Sequence, residues 1–401
     1  MSAQRGRTEP VNGNFDLLHL THTDAPAEFI VAARESAGKA EILGSGRGLT
    51  RENALASCLG EMAERAAASK IDALQIIEAR AIDLPGRSIA PNQFWQFSDI
   101  QLRDGPNPGE LISPRAWSVV KEHISNCTSW CLAKPNRAGP DVFVPIVNVV
   151  LGEGPTDSNG LAAGIDRSAA QVTALLELVE RDAVAIWWYG RIRRPPVSLG
   201  TLDEPAHSDL RHWLERRQRR TWLLDLTNDL GVPVIAAISA DQNGSNIAYG
   251  FAAHLSVRQA SQAAVLEMLQ SELSLILAEK RALQSGRPEG PAGRFLSWSR
   301  SASVTRMAHL LPDLDATAIP STNSPAADLS DVVAKKTGVP VVFVDLDLPD
   351  DTFKVVRALS PCLRSWRPRF RRGRLQSVPR TLGWAREAFD ETSFDGNVIL
   401  I

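Results

Sequence analysis

Apolar and polar positions along this chain fall into two spacings. Runs rich in valine and isoleucine, "VFVPIVNVVL" from Val142 and "VPVIAAISA" from Val232, predict strands. "AEIL" from Ala40 predicts a weaker one. Three longer segments predict helices over about 50–68, 166–188 and 256–280, opened by the capping residues Thr50, Asp166 and Ser256. Further on, "DVVAKKTGVPVVFVDLD" reads as helix then strand. "SGRPEGPAGRFLSWSRSASV", from Ser285, reads as a loop because of its Gly, Pro and Ser content. Residues 1–39 read as a polar lead and 40–401 as one domain.

The three helical segments are copies of one unit. "GLTRENALASCLGEMAERAA" from Gly48 aligns without a gap on "GIDRSAAQVTALLELVERDA" from Gly164, an offset of 116. Eight positions recur, including Glu61/Glu177, Glu64/Glu180 and Arg65/Arg181. Ser57 pairs with Thr173. A weaker copy, "HLSVRQASQAAVLEMLQSEL" from His254, is offset by 206 and puts Glu267 on Glu61 and Gln270 on Glu64. Gly44, Gly160 and Gly250 each stand four residues before a copy. The unit is therefore strand, glycine-containing turn, helix.

On a helix, positions i, i+4 and i+7 share a face. Ser57, Glu61 and Glu64 form one stripe, and Thr173, Glu177 and Glu180 another. Few other charges surround the first stripe, so that helix is expected to be close-packed on most sides. Carboxylates repeated in register on separate helices point to a shared site. Converging acids repel and need compensation, which Arg65, Arg181 or a hard cation can supply. Mg²⁺ takes oxygen ligands from a few carboxylates and from phosphates, so a nucleotide–Mg²⁺ site is expected. No G-x-x-x-x-G-K-[ST] motif occurs, which excludes a P-loop.

Composition changes this picture little. The chain is 44% hydrophobic and 22% charged, with a net charge of -2, so neither nucleic acid nor a membrane surface is expected as partner. No stretch approaches about 18 apolar residues, so no membrane span is expected. Cys58, Cys127, Cys131 and Cys362 are scattered, which points to free thiols in a reducing cytoplasm. Arginines crowd between Arg357 and Arg380, read as a solvated basic surface or a docking face for an acidic partner. Trp187, Trp188 and Tyr189 read as core. Asn159 in "SNG" fits a turn, and His254 a loop.

"SCLGEMAER", "NGLAAGIDRSAAQVTALLELVERDA" and "GFAAHLSVRQASQAAVLEMLQ" resemble the three signature segments of the YcaO superfamily, in order. "ELVERDAVAIWWYGRIRRPPVSL" and "VVRALSPCLRSWRPRFRRGRLQSVPRTLGW" resemble its azoline-forming cyclodehydratase branch, the D proteins of thiazole/oxazole-modified, microcin-type peptide biosynthesis. The likeness runs from Ala40 to Trp384.

It implies an α+β fold, a single YcaO-type domain of repeated strand-turn-helix units around a central ATP site. It implies ATP and Mg²⁺ as cofactors, with Glu61, Glu64, Glu177 and Glu180 as the metal-holding carboxylates. Ser57, Glu61, Arg65, Asn159, Glu177, Glu267 and Gln270 would bind nucleotide, and Glu64, Glu180 and Arg181 would be catalytic. The implied enzyme converts Cys, Ser or Thr of a ribosomally made precursor peptide to thiazoline or oxazoline. A thioamide-forming relative and a non-catalytic ATP-binding subunit are the alternatives. No N-terminal leader-binding module is apparent. The implied partners are therefore a separate leader-binding protein and a flavin-dependent azoline dehydrogenase, in an oligomeric cytoplasmic assembly.

Three departures from the family pattern stand out. Arg47 replaces the usual Lys, Glu272 replaces an Arg beside the expected site, and "GNVILI" replaces a Pro-x-Pro-x-Pro tail. The Ile401 carboxylate is the candidate stand-in for that tail.

Overall fold

The computed structural model describes residues 15–22, 24–36, 39–71, 74–110, 112–135, 140–152, 154–203, 208–285, 290–320, 329–346 and 352–400. Strands β1 (Asp16–Leu20), β2 (Glu28–Ser36) and β3 (Lys39–Gly48) lead into α1 (Arg51–Ala68). Next come β4 (Ile76–Glu78), β5 (Arg87–Ser88), α2 (Pro91–Trp95), α3 (Asp99–Asp104), α4 (Pro114–Asn126), β6 (Ser129–Pro135) and β7 (Val142–Pro145). β8 (Leu161–Gly164) enters α5 (Arg167–Gly190). β9 (Pro196–Val197), α6 (Ser208–Arg216), β10 (Arg220–Asp225), β11 (Val234–Ala240) and β12 (Ala248–Ala253) precede α7 (Val257–Ser285). The rest is α8 (Gly290–Ser301), α9 (Leu329–Thr337), β13 (Val342–Asp345), β14 (Lys354–Leu359) and α10 (Arg374–Thr381).

Among the described residues the strands form three sheets. Their orders are β1-β2-β3, β12-β11-β10-β9 and β5-β7-β6-β13-β14-β8, with β4 also on β6. Every pairing is antiparallel except β5 with β7. Each sheet ends on a strand that feeds a long helix: β3 into α1, β8 into α5, β12 into α7. The expected caps form. Thr50 accepts Asn53 N–H at 3.3 Å, Asp166 accepts Ala169 N–H at 2.8 Å, and Ser256 accepts Gln259 N–H at 3.3 Å.

The helices pack in a closed cycle. α1 lies on β2 and β3 and reaches β8; α5 lies on β8 and β14 and reaches β12; α7 lies on β11 and β12 and reaches β3. The glycines that precede the copies explain the intimacy of strand and helix. A Cβ at Gly44 would lie 2.8 Å from Cys58 O and 3.1 Å from Met62 N. One at Gly250 would lie 2.5 Å from Ala264 O and 2.2 Å from Met268 N, the same helix positions at the same offset of 206. Only glycine lets these backbones meet.

Several expectations change here. Residues 16–36 are no lead: β1 and β2 build the first sheet, with Phe29 under α7 and with Ile30 and Ala32 under α1. β7 and β11 are strands as expected, but β8 and β12 intervene before the helices. Gly44 and Gly250 lie within strands rather than turns; Gly160, with φ +77°, does turn. "GPAGRFLSWSRS" is a helix, α8, because Phe295 and Leu296 bury into the core. α1 buries Ala54 and Cys58 against β2 and Ala67 and Ala68 in a second core cluster, while Ala56, Ser57 and Ala66 are exposed. α5 is the central helix, and its Trp187, Trp188 and Tyr189 are core, as expected.

Candidate nucleotide site

The three sheet-terminal strands β3, β8 and β12 each leave a row of backbone N–H groups without ladder partners. Carboxylates meet them. The first acid of each unit accepts from its own strand or the turn before it. Ser45 N and Oγ donate to Glu61 Oε2 at 2.8 and 2.9 Å, Gly160 N to Glu177 Oε2 at 2.9 Å, and Phe251 N to Glu267 Oε2 at 2.8 Å. The second acid accepts from the next unit: Ala163 N donates to Glu64 Oε1 at 2.8 Å and Ala253 N to Glu180 Oε2 at 3.2 Å. Ala163 and Ala253 are the offset equivalents of Arg47, at 116 and 206.

The third unit returns to the first. Gln270 Nε2 donates to Ser45 Oγ at 3.1 Å, and Arg47 Nη1 donates to Gln270 Oε1 at 2.8 Å. The repeat is thus a closed ring in which each helix is tied to its own strand and to its neighbour's.

Five carboxylates (Glu61, Glu64, Glu177, Glu180, Glu267) share three guanidiniums. Arg65 contacts Glu61 at 2.5 Å, Arg181 contacts Glu177 at 3.0 Å and lies 3.8 Å from Glu180, and Arg47 lies 3.7 Å from Glu267. The charge imbalance shows in the acids. Burial, aided by Glu177 and Glu61, pushes the Glu64 carboxyl up to about 8. Burial and the Glu267 charge push Glu180 up as well, and burial raises Glu177. Burial opposes the Arg181 charge, yet Glu177, Glu180 and Glu267 hold it above its ordinary value. Two buried polar atoms at the ring, Asn159 Oδ1 and Arg181 Nε, have no hydrogen-bond partner.

These features fit a cation-bearing nucleotide. Ionising these buried acids is costly without a counter-charge, which a bound cation would supply, and Asn159 Oδ1 and Arg181 Nε beside them have no hydrogen-bond partner. Among the described residues no three acidic, histidine or cysteine side chains close on a single point as an all-protein cage. Mg²⁺ takes one or two carboxylates and completes its shell with phosphate and water oxygens, so the fit rests on the acids and the unpartnered atoms named above.

A family model described as YcaO cyclodehydratase, ATP- and Mg²⁺-binding, matches residues 45–364. The chain belongs to the YcaO family. A heterocyclase solved with its substrate and cofactor is 26% identical, with a TM-score of 0.81, over 98% of this chain and 55% of that one. The heterocyclase TruD is 26% identical at a TM-score of 0.70, over 88% of this chain and 51% of TruD. The YcaO protein of Methanopyrus kandleri, bound with AMPPCP and Mg²⁺, shares the fold at 23% identity and a TM-score of 0.59, over 87% of this chain and 86% of that one. This YcaO chain spans about half the length of the two heterocyclases. Among its described residues no helix is long and apolar enough to cross a membrane.

Two departures take on a structural meaning in this YcaO chain. Glu272 is not beside the ring. It is 5% exposed, held by Arg217 Nη1 at 2.9 Å, Arg219 Nε at 3.1 Å and Ser239 Oγ at 2.5 Å, with His22 Nε2 at 2.9 Å. Burial works against its charge, but His22, Arg217 and Arg219 bring the carboxyl down to about 2. Arg47 keeps its positive charge at the ring, as expected. Of the other candidates, Ser57 is exposed one turn before Glu61, and His254 Nδ1 accepts Leu255 N–H at 2.8 Å in its loop. The Ile401 carboxylate lies outside the described residues.

The arginine-rich segment is largely interior rather than a solvated surface. Arg357, Arg364, Arg369 and Arg374 are buried. Arg369 pairs with Glu110 at 2.6 Å, Arg374 with Asp182 at 2.8 Å, and Arg357 Nη2 donates to Asp157 O at 2.5 Å. Arg372 and Arg380 remain exposed. Sequence reasoning missed Asp157, Asp182 and Trp366. Asp157 and Asp182 directly flank motif residues, two before Asn159 and one after Arg181, and that adjacency was the signal available.

Proposed function

We propose that this chain is an ATP-dependent peptide cyclodehydratase, in which the ring Glu61, Glu64, Glu177, Glu180, Glu267 and Gln270 holds the Mg²⁺-bound triphosphate. A Cys, Ser or Thr side chain of a ribosomally made peptide adds to the preceding carbonyl, and the former amide oxygen must then leave. ATP supplies the phosphoryl group that makes that oxygen a leaving group, and Mg²⁺ neutralises phosphate charge. The chain's own task is positioning. Glu61, Glu64, Glu177 and Glu180 are each fixed by a backbone N–H group, Glu64 and Glu180 stand as the metal-facing pair, and Arg181 offers an unpartnered Nε toward the phosphates. Asn159 and Arg65 bind nucleotide in this reading, and Ser57 flanks it on the α1 stripe. The precursor peptide, a separate leader-binding protein and a flavin-dependent azoline dehydrogenase complete the proposed assembly.

The observation that carries the reading is the closed hydrogen-bonded ring of acids from α1, α5 and α7, with Glu64 raised to about 8. The test is reconstitution with a cognate precursor peptide, its leader-binding protein, ATP and Mg²⁺, followed by mass spectrometry. The wild-type chain removes one water per ring formed, and Glu64→Gln and Glu180→Gln remove none while remaining folded. Full dehydration by either variant refutes the assignment. A mass gain matching oxygen-to-sulfur exchange, dependent on added sulfide, supports the thioamide alternative instead.

A further inference from the structure

Behind the ring, the segment from Ser360 to Arg374 is strapped onto α5. Asp182, wholly buried and next in sequence to Arg181, accepts Arg364 N–H at 2.9 Å and Arg374 Nη2 at 2.8 Å. Tyr189 Oη donates to Trp366 O at 2.6 Å. These bonds place the Trp366 ring within reach of two guanidiniums. Arg181 Cζ lies 5.3 Å from the ring centroid and Arg367 Cζ 4.5 Å. Arg367 Nε donates to Asp157 Oδ2 at 3.1 Å, and Asp157 Oδ1 accepts Asn159 N–H at 3.1 Å. One dipeptide of the strap thus reaches both groups at the ring whose polar atoms lack partners, Trp366 touching Arg181 directly and Arg367 acting on Asn159 through Asp157.

We infer that Trp366 and Arg367 are positioning residues for nucleotide: Trp366 sets the plane of Arg181, and Arg367, through Asp157, sets the turn that presents Asn159. The inference rests on the ATP-site reading above and extends it to residues that touch no ring acid. A guanidinium that stacks through its face keeps its N–H edge free for phosphate. Each of the two like charges at the indole is offset by an acid, Glu177 for Arg181 and Asp157 for Arg367. Without Trp366, Arg181 is free to swing fully onto Glu177 and Glu180 and present less of that edge.

The test is calorimetric binding of AMPPCP with Mg²⁺ to the full chain and to Trp366→Phe, Trp366→Leu, Arg367→Ala, Arg181→Ala and the double variant Arg181→Ala/Trp366→Leu. A partly desolvated cation–π contact of this kind corresponds to a loss of roughly tenfold in affinity. We expect that loss for Trp366→Leu, a smaller one for Trp366→Phe, and no further loss when Trp366→Leu is added to Arg181→Ala. Arg367→Ala weakens binding by the independent Asp157 route. Trp366→Leu binding within about twofold of wild type, or effects that simply multiply in the double variant, overturns the proposal. If Trp366→Leu does not fold, the same cycle run with Trp366→Phe decides. A wild-type chain that binds no AMPPCP refutes the ATP-site reading itself, an outcome distinct from normal binding by the variants.

Discussion

Asp182→Ala is the perturbation whose cost the structure defines most closely. The carboxylate has no exposed surface. It accepts from Arg374 Nε at 2.9 Å, Arg374 Nη2 at 2.8 Å, Arg364 N at 2.9 Å and Asn228 Nδ2 at 3.0 Å. Truncation leaves a buried cation and a buried backbone donor short of partners. Removing one member of a buried ion pair costs about 3–5 kcal/mol, and an unsatisfied buried donor adds about 1–3 kcal/mol. Arg374 keeps Asp229 at 2.6 Å, so the lower part of the combined range applies, about 4 kcal/mol. With a urea m-value of about 3 kcal/mol/M, the unfolding midpoint falls by more than about 1 M. Tryptophan fluorescence reports the transition, since ten tryptophans are present. Asp229→Ala is the control: its carboxylate is 21% exposed, so its loss is expected to cost about 1 kcal/mol or less. A midpoint for Asp182→Ala no lower than that of Asp229→Ala refutes the reasoning.

Gly250→Ala forces a methyl to within 2.2 Å of Met268 N, so α7 must move off β12. We expect a loss of about 3 kcal/mol or more by urea unfolding, the top of the overpacking range, together with loss of Mg²⁺–AMPPCP binding as Phe251 N leaves Glu267. Glu64, with its carboxyl raised to about 8, makes the nucleotide-free protein less stable as pH rises from about 4.5 to about 8, because the folded chain resists ionising a group the unfolded chain ionises freely. Melting curves across that window are expected to be flatter for Glu64→Gln, and equal slopes in the two proteins contradict the assignment. Glu272, lowered to about 2, works in the opposite direction: its contribution is whole above about 4.5 and is lost as pH falls through about 2. The stability gap between wild type and Glu272→Gln therefore closes on acidification over that range, and a gap that persists at pH 2 argues against the Arg217–Arg219–His22 setting.

What the sequence determined by itself was local and periodic. The E-x-x-E spacing, the caps at Thr50, Asp166 and Ser256, and the in-register copies put Glu61, Glu64, Glu177 and Glu180 on helix faces, since helical geometry converts spacing directly into direction. The glycines at positions 44 and 250 were visible too, but not that they let strand and helix backbones touch. Tertiary structure alone decided where each carboxylate finds its donor. Glu64 takes Ala163 from a strand 99 residues away, and Arg47 closes the ring on Gln270 across 223. No local pattern encodes pairings at such separations. Burial was equally out of reach: the same arginine-rich stretch reads as surface until Asp157, Asp182 and Glu110 are seen beside it, because a charge can be interior only where a distant partner meets it. Glu272 is the clearest case, an acid that the family likeness placed beside the expected site and that three long-range partners, His22, Arg217 and Arg219, hold inside the protein.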